Sequence, residues 1–188
     1  MESNNEVTHI FEQTHALLKR HFILRSGLRS EYFFQCAKVC QYLDKVTRLA
    51  QLLIDKIDSE NVDLIVAPAM GGLVIGQEIA RQLNARFIFL EKVDDRLALR
   101  RNFAINPEDK VLLVEDVVTR GGRVKEAIKI IKGYPCHFYG VVSLVDRSTE
   151  PLDFGVPFTS LMRMNFPTYQ LEQLPEHLKN IPATKPGS

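Results

Sequence analysis

Residues 111–123 read V-L-L-V-E-D-V-V-T-R-G-G-R. Four apolar residues, Val111 to Val114, run into the adjacent acids Glu115 and Asp116. The pair Val117-Val118 follows, then Thr119-Arg120-Gly121-Gly122-Arg123. A short continuous apolar run marks a strand buried on both faces. Carboxylates at the end of such a strand are costly unless partnered. Nearby arginines would serve, as a salt-bridged strand end. So would vicinal sugar hydroxyls, each donating to an ionised carboxylate. The turn has two readings as well. Glycines let successive backbone N–H groups face one concavity, and the positive end of a following helix adds to it, which makes a phosphate cradle. Thr119 and the arginines would complete that cradle. A glycine turn before a helix is also common without any ligand. On this stretch both pairs of readings stay open.

The flanking sequence repeats the pattern. L-I-V-A (64–67) reads as a buried strand, and P-A-M-G-G leads into a helix over 73–83. R-F-I-F-L (86–90) is a second strand, followed by the charged stretch E-K-V-D-D-R-L-A-L-R-R-N-F. After the strand at 111–114 the spacing predicts a helix over 122–132, then a strand over 138–145. Buried strands alternating with helices indicate an α/β fold with a mostly parallel central sheet flanked by helices. Ligands of such sheets sit outside the carboxyl ends of the strands. The ends after Ala67, Val114 and Val145 are polar or glycine-rich, and they are expected to converge on one crevice. Towards the amino end, Val7, Ile10, Phe11, Thr14, Leu17 and Leu18 follow helical spacing. Residues 22–34 read as a hairpin around a Ser-Gly turn, and a helix begins after Asp44 as its N-cap, carrying Val46, Leu49, Ala50, Leu53 and Ile57 on one face.

Bulk properties narrow the classes. The 188 residues suit one domain, 1–188, with a loose tail over 182–188. A net charge of +1 supplies no global attraction to nucleic acid or acidic membranes, so neither partner is expected and any anion site is local. No apolar run approaches the roughly 20 residues of a membrane helix. The opening M-E-S-N-N-E is unlike a secretory signal, and the odd number of cysteines, Cys36, Cys40 and Cys136, supports neither disulfides nor a metal pair. A cytoplasmic setting is expected. Neither G-x-x-x-x-G-K-[ST] nor G-x-G-x-x-G occurs. The five histidines are scattered, and none is assigned to catalysis.

The stretch at 111–123 resembles the signature of type I phosphoribosyltransferases, which bind 5-phosphoribosyl 1-pyrophosphate. Other segments resemble the orotate phosphoribosyltransferases, in the right order and over nearly the whole chain. These are L-R-S-G-L-R-S-E-Y-F-F (24–34), A-P-A-M-G-G (67–72), L-E-K-V-D-D-R-L-A-L-R-R-N-F (90–103), S-L-V-D-R (143–147) and the closing I-P-A-T-K-P-G-S. The resemblance implies the type I fold with a small N-terminal hood over about 1–40. It implies transfer of a phosphoribosyl group to orotate, giving orotidine 5-monophosphate and pyrophosphate in pyrimidine biosynthesis.

By that resemblance Glu115 and Asp116 hold the ribose hydroxyls. Thr119, Arg120, Gly121, Gly122 and Arg123 wrap the 5-phosphate, and Val117 and Val118 belong to the same phosphoribosyl pyrophosphate-binding stretch. Met70, Gly71 and Gly72 approach the pyrophosphate, and Arg25 reaches the pyrophosphate or orotate side. Phe33, Phe34, Thr119 and Arg147 meet the orotate. Lys92, on a mobile loop shared across a homodimer, and Asp116 are the catalytic candidates. Mg2+ is expected through the pyrophosphate and ribose hydroxyls, with no direct protein ligand. The usual family turn is Thr-Thr-Gly-Gly and often ends in Ser or Thr, whereas Arg120 and Arg123 stand here in place of hydroxyl residues. A related branch carries two cysteines where this chain has Leu174 and His177, so no metal site is expected there. Rival roles remain beside these: an ion pair of Arg147 with Asp146 or Asp116, hairpin core for the two phenylalanines, a solvated charged loop around Lys92. The alternative functions are another base phosphoribosyltransferase and a non-catalytic regulator that senses the same ligand, with or without RNA.

Overall fold

A computed structural model describes residues 2–24, 26–58 and 62–186. The chain forms two compact units, Met1–Gln41 with Asn165–Ser188, and Tyr42–Met164.

The larger unit holds a six-stranded sheet. Its elements are α2 (Leu43–Ile54), β3 (Leu64–Pro68), α3 (Leu73–Leu83), β4 (Arg86–Val93), β5 (Arg96–Leu99), β6 (Lys110–Val118), α4 (Gly122–Ile131), β7 (His137–Asp146) and β8 (Phe158–Arg163). The strand order is β5-β4-β3-β6-β7-β8, parallel throughout except for β4 against β5. From β3 the chain builds outward through β4 and β5, then returns to β6 on the other side of β3. The topological switch point therefore lies between β3 and β6, where ligands bind in such sheets.

The central strands β3, β6 and β7 are apolar because both faces are covered. On one face Leu64, Val66, Ile88, Leu90, Val111, Leu113 and Val141 pack with Val124, Ala127, Ile128 and Ile131 of α4. On the other, α3 lies so close that a Cβ on Gly76 would stand 3.0 Å from the Ala67 Cβ. Beyond α3 lies α2, which also touches β7 and β8.

The smaller unit contains α1 (Glu2–Gln13) and an antiparallel sheet of β1 (Leu17–Ile23), β2 (Arg29–Phe34) and β9 (Thr168–Tyr169). Phe34 packs edge-on against Phe11 at 5.0 Å between ring centres, and Phe33 lies 5.6 Å from Phe22. A short helix, α5 (Glu176–Lys179), follows in chain order.

The larger elements fall where the spacing predicts, with specific departures. Leu17 and Leu18 belong to β1 rather than to the first helix: Thr14 Oγ1 donates to the Ile10 carbonyl at 2.8 Å, and His15 turns left-handed at φ 55°. Tyr42 precedes α2, and Asp44 sits in its first turn rather than at the N-cap. The acids Glu115 and Asp116 lie inside β6, which continues to Val118 because β7 pairs it as far as Asp146. The charged stretch after 90 is a hairpin, with β4 prolonged to Val93 and a left-handed turn at Asp94 and Asp95. Thr184, in the segment read as a tail, bridges to β1: its N–H donates to His21 at 3.0 Å and its carbonyl accepts from Ile23 at 2.9 Å. Among the described residues no helix is long and apolar enough to cross a membrane.

Candidate active site

The β3–β6 pairs run from Leu64↔Val111 to Val66↔Leu113. Beyond them β6 continues beside β7 only, through Glu115↔Ser143 and Val118↔Asp146. On the β3 side the chain leaves the sheet at Pro68 and turns through Ala69, Met70 and Gly71 into α3, with a cis peptide between Ala69 and Met70. The space between that turn and the end of β6 is a crevice of about 360 Å³. Pro68 to Gly71 line one wall, and Glu115, Asp116 and Val117 another. Thr119 and Arg123 close the far end.

Two glycines are demanded by close approach or conformation. A Cβ on Gly71 would stand 2.5 Å from Asp116 Oδ1, so any side chain there displaces the carboxylate. Gly121 precedes α4 at φ 72°, which favours glycine, and a Cβ would press on the Phe154 ring at 2.9 Å. The Thr119–Arg123 turn therefore delivers the amino end of α4, with its unpaired N–H groups, to the crevice.

The acid pair is electrostatically unusual. Glu115 is almost wholly buried. Burial, reinforced by the Asp116 charge, pushes its carboxyl from the ordinary 4.5 up to about 8. Asp116 is raised too, chiefly by burial, although Glu115 gives it a hydrogen bond. The Asp116 N–H donates to Glu115 Oε1 at 3.1 Å, and the Val117 N–H to Asp116 Oδ1 at 2.7 Å. The Arg123 charge favours the ionised form of Glu115. The salt-bridged strand end offered by the sequence is thus only weakly realised. What the crevice holds is two carboxyls in need of donors.

Arg123 lines the crevice. Arg120 is exposed and is not among the lining residues. Gly72 sits just behind the first wall, where a Cβ would meet the Val114 carbonyl at 2.8 Å. Arg147 follows the end of β7, and its N–H donates to the Val118 carbonyl at 2.7 Å, beside the start of the 119–123 turn. Burial lowers its guanidinium pKa. Its neighbour Asp146 accepts from the Ser148 N–H at 2.8 Å and lies 3.7 Å from Arg163 Nε. Lys92, on β4, pairs with Asp95 across the hairpin turn. The Arg123 charge also acts on Asp95. The hairpin is tied down where Glu126 of α4 accepts the Leu97 N–H at 2.7 Å. Phe33 and Phe34 belong to the smaller unit, in the ring contacts described above. Arg25 lies outside the described residues.

Sequence reading did not single out Pro68 and Ala69 as wall residues. It also missed Asp95, although its spacing of three from Lys92 was visible.

The chain matches the phosphoribosyl transferase domain family over residues 38–154. It is 45% identical to the orotate phosphoribosyltransferase of Erythrobacter litoralis, over 99% of this chain and 98% of that one. It is 40% identical to the orotate phosphoribosyltransferase of Caldanaerobacter subterraneus, over 97% and 96%. Its fold is similar to that of the Aeropyrum pernix orotate phosphoribosyltransferase, with a TM-score of 0.71 at 18% identity, covering 84% of this chain and 93% of that one.

The raised carboxyls give stability a defined pH dependence. A folded pKa above the unfolded value favours the folded state fully below about 4.5, and that advantage is lost as pH rises through about 8. Glu115→Gln removes an ionisable group from this balance. Thermal melts should place the variant close to the parent at pH 5 and above it at pH 9. A gap that stays constant across that range would mean Glu115 ionises normally.

Proposed function

The chain belongs to the phosphoribosyltransferase family, among the orotate phosphoribosyltransferases, and from that premise we propose how its residues divide the work. The reaction moves the phosphoribosyl group of 5-phosphoribosyl 1-pyrophosphate to orotate, giving orotidine 5-monophosphate and pyrophosphate. The observation that carries the assignment of roles is the buried acid pair, set in a crevice between a glycine turn and a helix amino end.

Glu115 and Asp116 accept the vicinal ribose hydroxyls, which supply the donors that the buried carboxyls lack. The backbone of Val117 to Gly122 and the amino end of α4 hold the 5-phosphate, with Thr119 and Arg123 completing the cradle. Arg120 flanks it. The Ala69–Gly71 turn brings backbone to the pyrophosphate, with Gly72 behind it. As pyrophosphate leaves the anomeric carbon, positive charge develops on the ribose ring, and the acid pair stabilises it. The orotate nitrogen attacks from the opposite face, so no enzyme nucleophile is required. Arg147 presents a partly desolvated guanidinium, a planar fork suited to the orotate carboxylate. Arg25, Phe33, Phe34 and Thr119 are proposed as further substrate contacts on the family resemblance. Lys92 is the proposed cation for the leaving group once anionic substrate competes with Asp95 for it.

Mg2+ fits this donor set as a substrate-held ion. Among the described residues no group of three or more His, Cys, Asp or Glu forms a cage, and magnesium is commonly held by substrate phosphates and water. The pyrophosphate and ribose hydroxyls would carry it, with Glu115 and Asp116 fixing those hydroxyls. When bound, it supplies charge neutralisation at the leaving group. We further propose a cytoplasmic homodimer in which the Lys92 hairpin serves the neighbouring subunit.

With magnesium and phosphoribosyl pyrophosphate, pyrophosphate release should require orotate and fail with adenine, guanine, hypoxanthine or uracil. Release with a purine would transfer the assignment to another base, and tight binding with no release for any base would favour a regulator. Arg147→Ala should raise the KM for orotate by at least about tenfold, the scale of a charged hydrogen bond, with little change for phosphoribosyl pyrophosphate. Equal increases in both would remove it from the orotate site. Mixing Lys92→Ala with Asp116→Asn subunits should restore activity if the hairpin works across subunits. Additive inactivity would confine Lys92 to its own chain.

A further inference from the structure

Ser143 lies in β7 between Val141 and Val145 on one face of the sheet, and its residue is 0% exposed. Its Oγ has no hydrogen-bond partner. Buried hydroxyls almost always have one, and a lone serine between buried valines is costly in a strand that valine or alanine would fill. The neighbouring strands show where a partner belongs. Ser143 is in register with Glu115 of β6 on one side and Ser160 of β8 on the other. In-register residues of parallel strands leave the sheet on the same face, about 4.8 Å apart. A polar row therefore crosses a face that is otherwise apolar, from the acid of the crevice towards the edge strand. Glu115 turns one oxygen, Oε1, to the Asp116 N–H. When both acids are ionised they repel each other, and Glu115 needs a second donor from the protein side.

We propose that Ser143 is a positioning residue for the sugar end of the substrate: its hydroxyl donates to the Glu115 carboxylate once the ribose hydroxyls engage it, fixing the orientation in which Glu115 receives them. This rests on the phosphoribosyl reading of the crevice. In the ligand-bound state the spare donor of Ser143 is used. Ser143 touches no substrate atom and acts through Glu115.

The test is a double-mutant cycle read by calorimetric binding of phosphoribosyl pyrophosphate with magnesium. Ser143→Ala should weaken binding about tenfold, as expected for a hydrogen bond to a charged group, with the orotate KM unchanged. Ser143→Thr, which keeps the hydroxyl, should bind within about twofold of the parent, well inside the loss expected for a charged hydrogen bond. In a Glu115→Ala background Ser143→Ala should produce no further loss, because the acceptor it orients is gone. Fully additive losses in the double variant would overturn the inference, as would an alanine variant that binds like the parent. Affinities are taken from the fraction titrated, so partial unfolding lowers the stoichiometry and leaves the comparison intact. Failure of the parent chain to bind phosphoribosyl pyrophosphate would overturn the reading of the crevice itself and the inference with it, a result distinct from binding that ignores Ser143.

Discussion

β6 outruns β3. The pairing between them ends at Leu113, while β6 remains hydrogen-bonded to β7 as far as Val118. The chain leaves β3 at Pro68, a residue with no N–H to offer a ladder. This mismatch opens the crevice, and much of the site follows from it. It leaves Glu115 and Asp116 on a strand with only one neighbour. It gives the Ala69–Gly71 turn a place to lie opposite them. It also lets α4 begin at the same end, since only three residues, Thr119 to Gly121, separate Val118 from the first residue of the helix.

The energetic cost of the arrangement sits on the two acids. A carboxyl pushed up to about 8 is one that the fold desolvates without supplying enough donors. A structural ion pair would show the opposite shift. Glu78 in the same unit does: the Arg81 hydrogen bond holds it down at about 2, with its carboxylate met by both Arg81 and Gln82. The contrast within one molecule separates an acid that the fold has satisfied from a pair it has desolvated, the pattern that makes the pair a functional-site candidate.

The arginine substitutions in the 119–123 turn take on different meanings in this setting. Arg123 reaches the crevice and adds positive charge near Glu115 and Asp95, whereas Arg120 points to solvent. In the proposed cradle the backbone and the helix end would do the holding. Lys92 and Asp95 form a second local balance, an exposed pair at a hairpin tip whose bond is weak enough for an anion to compete with.

The sequence by itself determined the alternation of buried strands and helices, the parallel sheet, the family and most wall residues of the crevice, because these rest on apolar periodicity and on contiguous motifs. Helix 73–83 and the strand at 64 were legible to within a residue for that reason. Only the tertiary structure decided where pairing stops. Leu17 and Leu18 have helical spacing but join a strand because Phe34 and Phe33 stand opposite them. Glu115 and Asp116 read as a strand end but lie within β6 because β7 is there to pair with them. The fit of Asp116 against Gly71 and the register of Ser143 beside Glu115 are likewise contacts between segments far apart in the chain. Periodicity reports which face of an element is buried; which residues meet across that face depends on register between strands, and register is a property of the packed sheet.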